Sequence, residues 1–302
     1  MVISKSCIER LAKDVKQLIK NPLNMDGIYY KHSDDSILQG YALIIGNTDT
    51  PYFYGNYIFS FIYPENYPFS PPTVTFLTND GKMRFNPNFY VNGKVCLSVL
   101  NTWNGDGWTS CQTITSILLI LKSVLNENPL LNEPGINIKN YNVNKYNTLV
   151  SYKNVEYSIL IQFNVLQYIL EKIEKIKKED FLEKEKEKNL EKEKEDFLEK
   201  EKEDFLEKEK EDFLEKEKED KIELYLKKLY TYEYVLYLFR DEIINNVVNN
   251  IDNVLSKLNN LDKKINIYDN IYINTYNLNY NLNINYLKNE LKNKILKKFK
   301  KI

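Results

Sequence analysis

The segment from residue 84 to residue 108, RFNPNFYVNGKVCLSVLNTWNGDGW, constrains the fold more than any other part of the chain. The pair Asn92-Gly93 is a strong turn signal, because both residues tolerate positive φ, and it predicts that the chain reverses direction between Asn88 and Cys96. This reversal would bring an amide next to a thiol. A carboxamide can stabilise the oxyanion that forms when a cysteine attacks a carbonyl group, so Asn88 is the candidate donor and Cys96 the candidate nucleophile. The alternative interpretation is that Cys96 is a small core residue, since free cysteines are often buried.

Several motifs of this chain resemble, in order, the catalytic domain of ubiquitin-conjugating enzymes. They are YPENYPFSPPTVTF, then NPN, then Cys96 eight residues after Asn88, then WTSCQTITSILLILKSVL. The family motif reads His-Pro-Asn, and here Asn86 stands at the histidine position and Pro87 follows it. That histidine is structural in the family, so the resemblance implies a structural role for Asn86 and Pro87. The RFNPN form, the GKVCLSVLNTW run and ENPLLNEPG are similar to the Z subtype of the family.

The resemblance implies an α+β fold, the ubiquitin-conjugating fold, with a four-stranded antiparallel meander flanked by helices, over residues 1–175. Apolar spacing predicts a helix from residue 4 to residue 20, with Ile8, Leu11, Val15, Leu18 and Ile19 on one side. Similar spacing predicts a helix over residues 111–126 and one or two more between residues 144 and 176. Strands are predicted within residues 37–45, 57–63 and 73–78, separated by turn residues.

Two docking surfaces also follow from the resemblance. Arg10, Lys13 and Lys16 on the first helix are candidates for binding the activating enzyme, although a solvated basic face would show the same charges. Residues 64–72 contain four prolines and should form a stiff loop with Phe69 as its exposed apolar anchor. This loop would bind a ubiquitin ligase together with Thr109 and Ser110. The alternative is that Phe69 is an ordinary core residue.

Two acidic residues are candidates for contacting the attacking amine. Glu133, in ENPLLNEPG, stands at the acidic position of the family, where it would position or partly deprotonate the attacking lysine. The alternative is a solvated loop glutamate. Asp106 lies between Gly105 and Gly107 in a predicted loop, where it is either a contact for the amine or an ordinary turn aspartate.

The cysteine and histidine content excludes several kinds of site. Cys7, Cys96 and Cys111 are widely spaced and lack a metal-ligand pattern, which favours a reducing compartment, the cytoplasm or also the nucleus. The single histidine, His32, is predicted to be a surface residue in a loop, which argues against a Cys-His hydrolase. Neither a metal nor a cofactor is expected, because the resemblance implies that the activating enzyme consumes the ATP. No run of about 18 apolar residues predicts a membrane helix.

Residues 176–221 contain a charged repeat, and five copies of a unit related to EDFLEKEK occupy residues 179–218. With 3.6 residues per turn, an eight-residue period moves the Phe-Leu pair around the helix instead of forming one seam, which argues against a coiled coil. The pattern predicts a solvated, partly helical rod. It is either a spacer or a repeat expansion that a surface position tolerates.

The rest of the chain is predicted to be a helical extension and a tail. Residues 222–262 have helical apolar spacing and resemble, more loosely, the extension of the Z subtype, so we expect this helix to pack on the conjugating domain. Within residues 263–302, Asn alternates with apolar residues at 277–286, a pattern typical of a strand or of disorder. Residues 288–302 predict a basic amphipathic helix that contacts anionic lipid, nucleic acid or an acidic partner, or else a solvated tail.

The resemblance implies a function in modifier transfer. The chain would accept ubiquitin or a ubiquitin-like modifier from an activating enzyme as a thioester on Cys96, and pass it to lysines of substrate proteins, alone or with a ubiquitin ligase. One alternative is a non-catalytic adaptor that keeps the conjugating fold to bind ubiquitin or a ligase. Another is a scaffold that acts through the charged repeat and the basic tail. The net charge of −1 provides no overall field that would favour nucleic acid or a membrane.

Overall fold

The computed structural model describes residues 3–195, 222–223, 225–226, 229, 231–265, 271–276, 278–280 and 282–296. The chain divides into two compact units. The first combines Met1–Phe163 with Phe239–Ile302, and the second is Asn164–Leu238. The first unit therefore consists of two separate parts of the sequence, and it contains every candidate site residue named above.

A four-stranded antiparallel sheet forms the centre of the first unit, with its strands in sequence order. The strands are β1 (Ile28–His32), β2 (Gln39–Ile45), β3 (Asn56–Ile62) and β4 (Thr73–Phe76). In the register, Ile28 faces Ile44, Gln39 faces Ile62, and Phe59 faces Phe76. The predicted meander is confirmed, and with its flanking helices it gives the expected α+β architecture.

The placement of His32 in a surface loop was wrong. His32 is the last residue of β1 and is only partly exposed. Its Nδ1 lies 2.9 Å from the Tyr30 hydroxyl group, and its Nε2 lies 2.8 Å from the carbonyl oxygen of Ile37. Burial lowers the pKa of this imidazole, while the carbonyl of Ile37 opposes that shift.

Aromatic rings fill the core beneath the sheet. The ring centroids of Phe59 and Phe76 are 5.3 Å apart, and Phe89, from the candidate catalytic segment, lies 5.3 Å from Phe59 and 4.8 Å from Phe76. All three rings are buried. Because each buried aromatic side chain removes on the order of 150–250 Å² from water, this cluster fixes the catalytic segment against β3 and β4.

Helices α1 (Lys5–Lys20) and α2 (Ile114–Val124) flank the sheet within the predicted limits. The hydroxyl of Ser4 accepts a hydrogen bond from the Cys7 amide at the start of α1, and the hydroxyl of Thr113, just before α2, accepts one from the Ser116 amide. The predicted apolar face of α1 was partly wrong, since two of its members, Ile8 and Ile19, are exposed. The buried residues of α1 are Cys7, Leu11, Asp14 and Leu18.

Helix α3 (Asn142–Lys153) continues through a π-helical stretch, Asn154–Ile161, into α4 (Gln162–Glu195). Most of α4 belongs to the second unit, and it includes the first two repeat copies. Of the later copies, only Glu195 lies in the described part, and the rest of residues 196–218 lies outside it. Within the described part of the chain, no helix is long and apolar enough to span a bilayer.

The C-terminal extension begins with α5 (Thr231–Leu238) in the second unit and continues with α6 (Arg240–Ile265) in the first. A hairpin of β5 (Ile271–Ile273) and β6 (Leu278–Tyr280) follows, and then α7 (Ile284–Leu291) with a π-helical turn, Lys292–Leu296. Of the strand predicted for residues 277–286, the described residues therefore form only β6. From Ile284 onward the apolar residues at helical spacing are buried, and that burial favours a helix. Residues 297–302 of the basic tail lie outside the described part.

Asn246 anchors α6 to the start of β3. Its Nδ2 donates to the carbonyl oxygen of Tyr54 at 2.9 Å and to Oδ1 of Asn56 at 2.8 Å. The amide of Asn56 in turn donates to the carbonyl oxygen of Ser158 at 3.0 Å. Nearby, Lys31 of β1 forms an ion pair with Glu242 of α6 at 2.9 Å. The asparagine side chains are buried, so a lost hydrogen bond leaves a polar atom unpaired away from water.

We expect Asn246→Ala to lower the free energy of unfolding by about 1–3 kcal/mol, because it leaves the Tyr54 carbonyl and the Asn56 amide oxygen without this donor. The measurement is denaturant unfolding of the full chain. The neighbouring Asn245 is exposed, so Asn245→Ala is a matched control that should change the same free energy by less than about 0.5 kcal/mol. Equal losses in the two variants would contradict the prediction.

Candidate active site

The segment before Cys96 forms the predicted reversal. The amide of Gly93, which has a φ of +86°, donates to the carbonyl oxygen of Tyr90 at 2.9 Å and closes the turn. The amide of Cys96 donates to the carbonyl oxygen of Asn88 at 2.8 Å. The prediction that the chain doubles back between Asn88 and Cys96 is confirmed, and the turn residues explain it, since a glycine adopts this φ without strain.

The thiol of Cys96 lies at the edge of the core and not on the open surface. The residue is 4% exposed, and its Sγ donates to the carbonyl oxygen of Thr102 at 3.0 Å. The Thr102 hydroxyl accepts from the amide of Leu97 at 2.9 Å, so the loop after the cysteine is held close to it. A thiol is a weak donor, and the bond from Sγ to Thr102 is correspondingly easy to break.

The side chain of Asn88 contacts the Cys96 backbone and not its sulfur. Its Nδ2 donates to the carbonyl oxygen of Cys96 at 2.8 Å. Among the described residues, its buried Oδ1 has no hydrogen-bond partner. In the described part of the chain no hydrogen bond joins this amide to the Cys96 thiol, and the expectation that the two groups face one another stays a prediction. The amide holds the Cys96 peptide group in place with one N–H, and its second N–H is the donor available to an oxyanion.

Asn86 connects the catalytic segment to the neighbouring loops. It is completely buried, and its Nδ2 donates to the Tyr52 hydroxyl at 2.9 Å and to the Val124 carbonyl oxygen at 2.7 Å. Its Oδ1 accepts from the amide of Asn88 at 2.9 Å and from Nδ2 of Asn132 at 3.3 Å. Both donors and the acceptor of this carboxamide are used, and Pro87 beside it is also buried.

Glu133 follows Asn132 on the loop that Asn86 holds. Its Oε2 accepts a hydrogen bond of 2.5 Å from the hydroxyl of Tyr276, which belongs to the C-terminal extension. Glu133 is partly buried, so it is not the fully solvated loop residue of the alternative interpretation. Asp106, by contrast, is exposed.

The proline-bearing loop presents Phe69 to solvent. The side chain is 71% exposed, so the alternative of an ordinary core residue was wrong. The indole of Trp108 supports the loop, because its Nε1 donates to the Pro68 carbonyl oxygen at 2.6 Å. Thr109 and Ser110 are exposed on the segment that follows Trp108.

Arg10 does not belong to an exposed basic face, which corrects the prediction for α1. Its Nε donates to Oδ1 of the buried Asp14 at 2.9 Å, and its guanidinium also donates to the carbonyl oxygens of Ser110, at 2.7 Å, and Gln112. Arg10 thus joins α1 to the segment after Trp108, which carries the ligase-binding candidates Thr109 and Ser110. Lys13 and Lys16 are exposed, as an intermolecular contact requires.

The other two cysteines differ from Cys96 in their surroundings. Cys7 is buried in α1, where burial raises the pKa of its thiol and its Sγ lies 3.6 Å from the Pro64 carbonyl oxygen. Cys111 is exposed, three residues before α2. Across the residues that the structure describes, no group of three His, Cys, Asp or Glu residues is placed to hold a metal ion.

The sequence patterns did not identify three residues of this site, which are Thr102, Asn132 and Tyr276. Asn132 sits within ENPLLNEPG, but its bond to Asn86 spans 46 residues. Tyr276 lies 143 residues beyond Glu133, in a region whose many Asn and Tyr residues gave no reason to select one. Local sequence patterns do not reveal contacts at such separations.

Comparison with known proteins agrees with this geometry. A family model described as "Ubiquitin-conjugating enzyme" matches residues 10–159. "Ubiquitin-conjugating enzyme E2 Z" of Danio rerio is 34% identical over 183 residues, which cover 60% of this chain and 55% of the relative. The protein of the same name from Xenopus tropicalis is 32% identical over 183 residues, with 60% and 58% covered.

A third relative matches over a shorter region. The human "Dual E2 ubiquitin-conjugating enzyme/E3 ubiquitin-protein ligase BIRC6" is 42% identical over 136 residues, which cover 42% of this chain and 3% of the relative. The chain spans a little more than half the length of the two E2 Z relatives. The region that the family model matches, residues 10–159, contains the sheet, the turn before Cys96 and the loop of Glu133. The chain belongs to the ubiquitin-conjugating enzyme family and is similar to its Z-type members.

Proposed function

We propose that this chain accepts ubiquitin or a ubiquitin-like modifier from an activating enzyme as a thioester on Cys96 and transfers it to a lysine of a substrate protein. The observation that carries the proposal is a series of hydrogen bonds in a ubiquitin-conjugating fold. It runs from the Cys96 carbonyl through Asn88 and Asn86 to Asn132, next to Glu133. A nucleophile, a donor and a carboxylate are thereby connected to one buried carboxamide.

The first step is the exchange of one thioester for another. The Cys96 sulfur leaves the Thr102 carbonyl, loses its proton and attacks the carbonyl carbon at the modifier's C-terminus. A bond forms between that carbon and the Cys96 sulfur, and the bond to the activating enzyme's cysteine breaks, so that its sulfur leaves and takes up a proton. The activating enzyme has already consumed the ATP, so this step needs no cofactor.

The second step forms an amide bond. A lysine amine attacks the thioester carbonyl, a C–N bond forms, the C–S bond breaks, and Cys96 leaves as a thiolate that regains a proton. The Asn88 amide stabilises the oxyanion formed on the way with the N–H that the Cys96 carbonyl does not use. Glu133 positions the amine and accepts its proton, which solvent or the departing thiolate then receives.

The exposed groups supply the partner surfaces of this proposal. Phe69, with Thr109 and Ser110, would bind a ubiquitin ligase, since an exposed aromatic residue on a rigid loop suits the centre of an interface. Lys13 and Lys16 would contact the activating enzyme, and Arg10 would fix the helix that carries them. Transfer requires a reduced Cys96, as in the cytoplasm or nucleus.

We expect the wild-type chain, incubated with activating enzyme, ATP and ubiquitin, to form an adduct that a thiol reagent removes. The readout is a non-reducing gel. Cys96→Ala should abolish the adduct, because it removes the nucleophile, whereas Cys111→Ala should retain it. Cys111 is the matched control, since it is the more accessible of the two thiols. No adduct with any activating enzyme and modifier would favour a non-catalytic adaptor, and an adduct that depends on Cys111 would refute the assignment.

We expect Asn88→Ala to slow the discharge of a preformed thioester to free lysine by about 100-fold, because an oxyanion donor contributes on the order of 10²–10³ in rate. Single-turnover discharge on a gel measures this rate. Asn245→Ala is the control, since that asparagine is exposed on α6, and it should leave the rate within about twofold. A discharge rate of Asn88→Ala equal to that of the wild type would exclude Asn88 as the donor.

A further inference from the structure

The hairpin of β5 and β6 is part of the core of the conjugating domain, although it lies more than 100 residues beyond the family match. Ile271, Ile273 and Leu278 are buried in the same contacting cluster as Ile117 of α2 and Phe85 before the catalytic segment. A hairpin fixed in this way can hold a side chain at a defined position in the catalytic domain.

The turn between the two strands carries Tyr276, and its ring is held from two directions. The ring centroid lies 5.8 Å from that of the buried Tyr146, and the guanidinium of Arg84 lies 5.3 Å from it. The same guanidinium lies 3.6 Å from the ring centroid of Tyr90, and the Tyr146 hydroxyl donates to the Arg84 carbonyl oxygen at 2.7 Å. These contacts fix the ring independently of its hydroxyl group.

The hydroxyl of Tyr276 donates to Oε2 of Glu133 at 2.5 Å. Burial, followed by the nearby carboxylate, raises the pKa of Tyr276, so the phenol keeps its proton and remains a donor at neutral pH. A hydrogen bond to a charged acceptor is short and strong, and it restricts the rotation of the carboxylate. The bond uses Oε2 and leaves Oε1 as the oxygen that can face an incoming amine.

The loop of Glu133 is held from its other side as well. Asn132 donates to Asn86 and, at 3.1 Å, to the carbonyl oxygen of Val124, while its own Oδ1 accepts from Nδ2 of Asn126 at 3.0 Å. The backbone of the loop is therefore fixed by the conjugating domain. The carboxylate itself is fixed by the C-terminal extension.

We propose that Tyr276 is a positioning residue for the transfer step: its hydroxyl orients the Glu133 carboxylate toward the attacking lysine, so that the C-terminal extension completes the active site. This inference rests on the role given to Glu133 in the proposed function. It assigns the extension a part in amine transfer and none in thioester formation, since Tyr276 acts only through Glu133, whose proposed role is to contact the amine.

Tyr276→Phe tests this inference, because it removes the hydroxyl and keeps the ring between Tyr146 and Arg84. We expect thioester formation on Cys96 to stay within about twofold of wild type, and discharge to free lysine to slow by about tenfold, the effect of losing one hydrogen bond to a charged group. Tyr280→Phe, in the same hairpin, is the matched control. The Tyr280 ring lies beside Lys153, at 5.0 Å from its Nζ, and its loss of a hydroxyl should leave discharge unchanged.

A double-mutant cycle with Glu133→Ala separates positioning from a general structural effect. If Tyr276 acts through Glu133, Tyr276→Phe has no further effect on discharge when Glu133 is alanine, whereas a structural role slows both backgrounds equally. Three results would overturn this inference and leave the proposed function standing. The first is equal slowing by Tyr276→Phe with Glu133 and with alanine at position 133, and the second is slowing by Tyr280→Phe. The third is normal discharge in Tyr276→Phe when Glu133→Ala discharges slowly. Normal discharge by Glu133→Ala would remove the role of Glu133 and the inference with it. Absence of any thioester on Cys96 would instead refute the proposed function itself.

Discussion

The buried carboxamide of Asn86 is the contact on which the candidate site depends. An asparagine side chain offers two N–H donors and an oxygen with two lone pairs, and here they bond to Tyr52, Val124, Asn88 and Asn132. A neutral histidine, the family residue at this position, has only one donor and one acceptor. An asparagine at this position can therefore form more hydrogen bonds than a neutral histidine could. It connects the catalytic segment directly to the loop of Glu133.

The burial of Cys96 is compatible with a reactive thiol because of what surrounds it. Its sulfur is held by one weak hydrogen bond to the Thr102 carbonyl, and a rotation of the side chain breaks that bond at little cost. Its backbone, by contrast, is held at both polar groups by Asn88, through the backbone carbonyl and the side-chain amide. The peptide group stays fixed while the sulfur can move, an arrangement that suits a nucleophile that must reach a carbonyl carbon on a partner.

Features with local causes could be predicted from the sequence, and features with distant causes could not. Asn92-Gly93 predicted the reversal before Cys96, and apolar alternation predicted three of the four strands, because turn chemistry and strand period are set by neighbouring residues. The charge of Arg10 suggested an exposed face, but two of its three hydrogen-bond partners, Ser110 and Gln112, lie about 100 residues away in the sequence. The pattern at residues 277–286 suggested a strand, but within the described residues only β6 is one, and burial against other elements favours a helix from Ile284 onward. Such outcomes depend on tertiary contacts that a single sequence does not display.

The arrangement of the chain also explains where the charged repeat could accumulate. The first part of the first unit ends at Phe163, and its second part begins at Phe239. Both parts contribute buried residues to the first unit. The repeat lies between these fixed ends. For a flexible loop, the entropic cost of closure grows with the logarithm of its length, by about 0.6 kcal/mol for each doubling. An added copy of eight residues therefore costs far less than the unit gains from burying the core residues of the hairpin and α7. On this argument we expect a tolerated repeat expansion and not a spacer of required length, because closing the first unit places no strong limit on the number of copies.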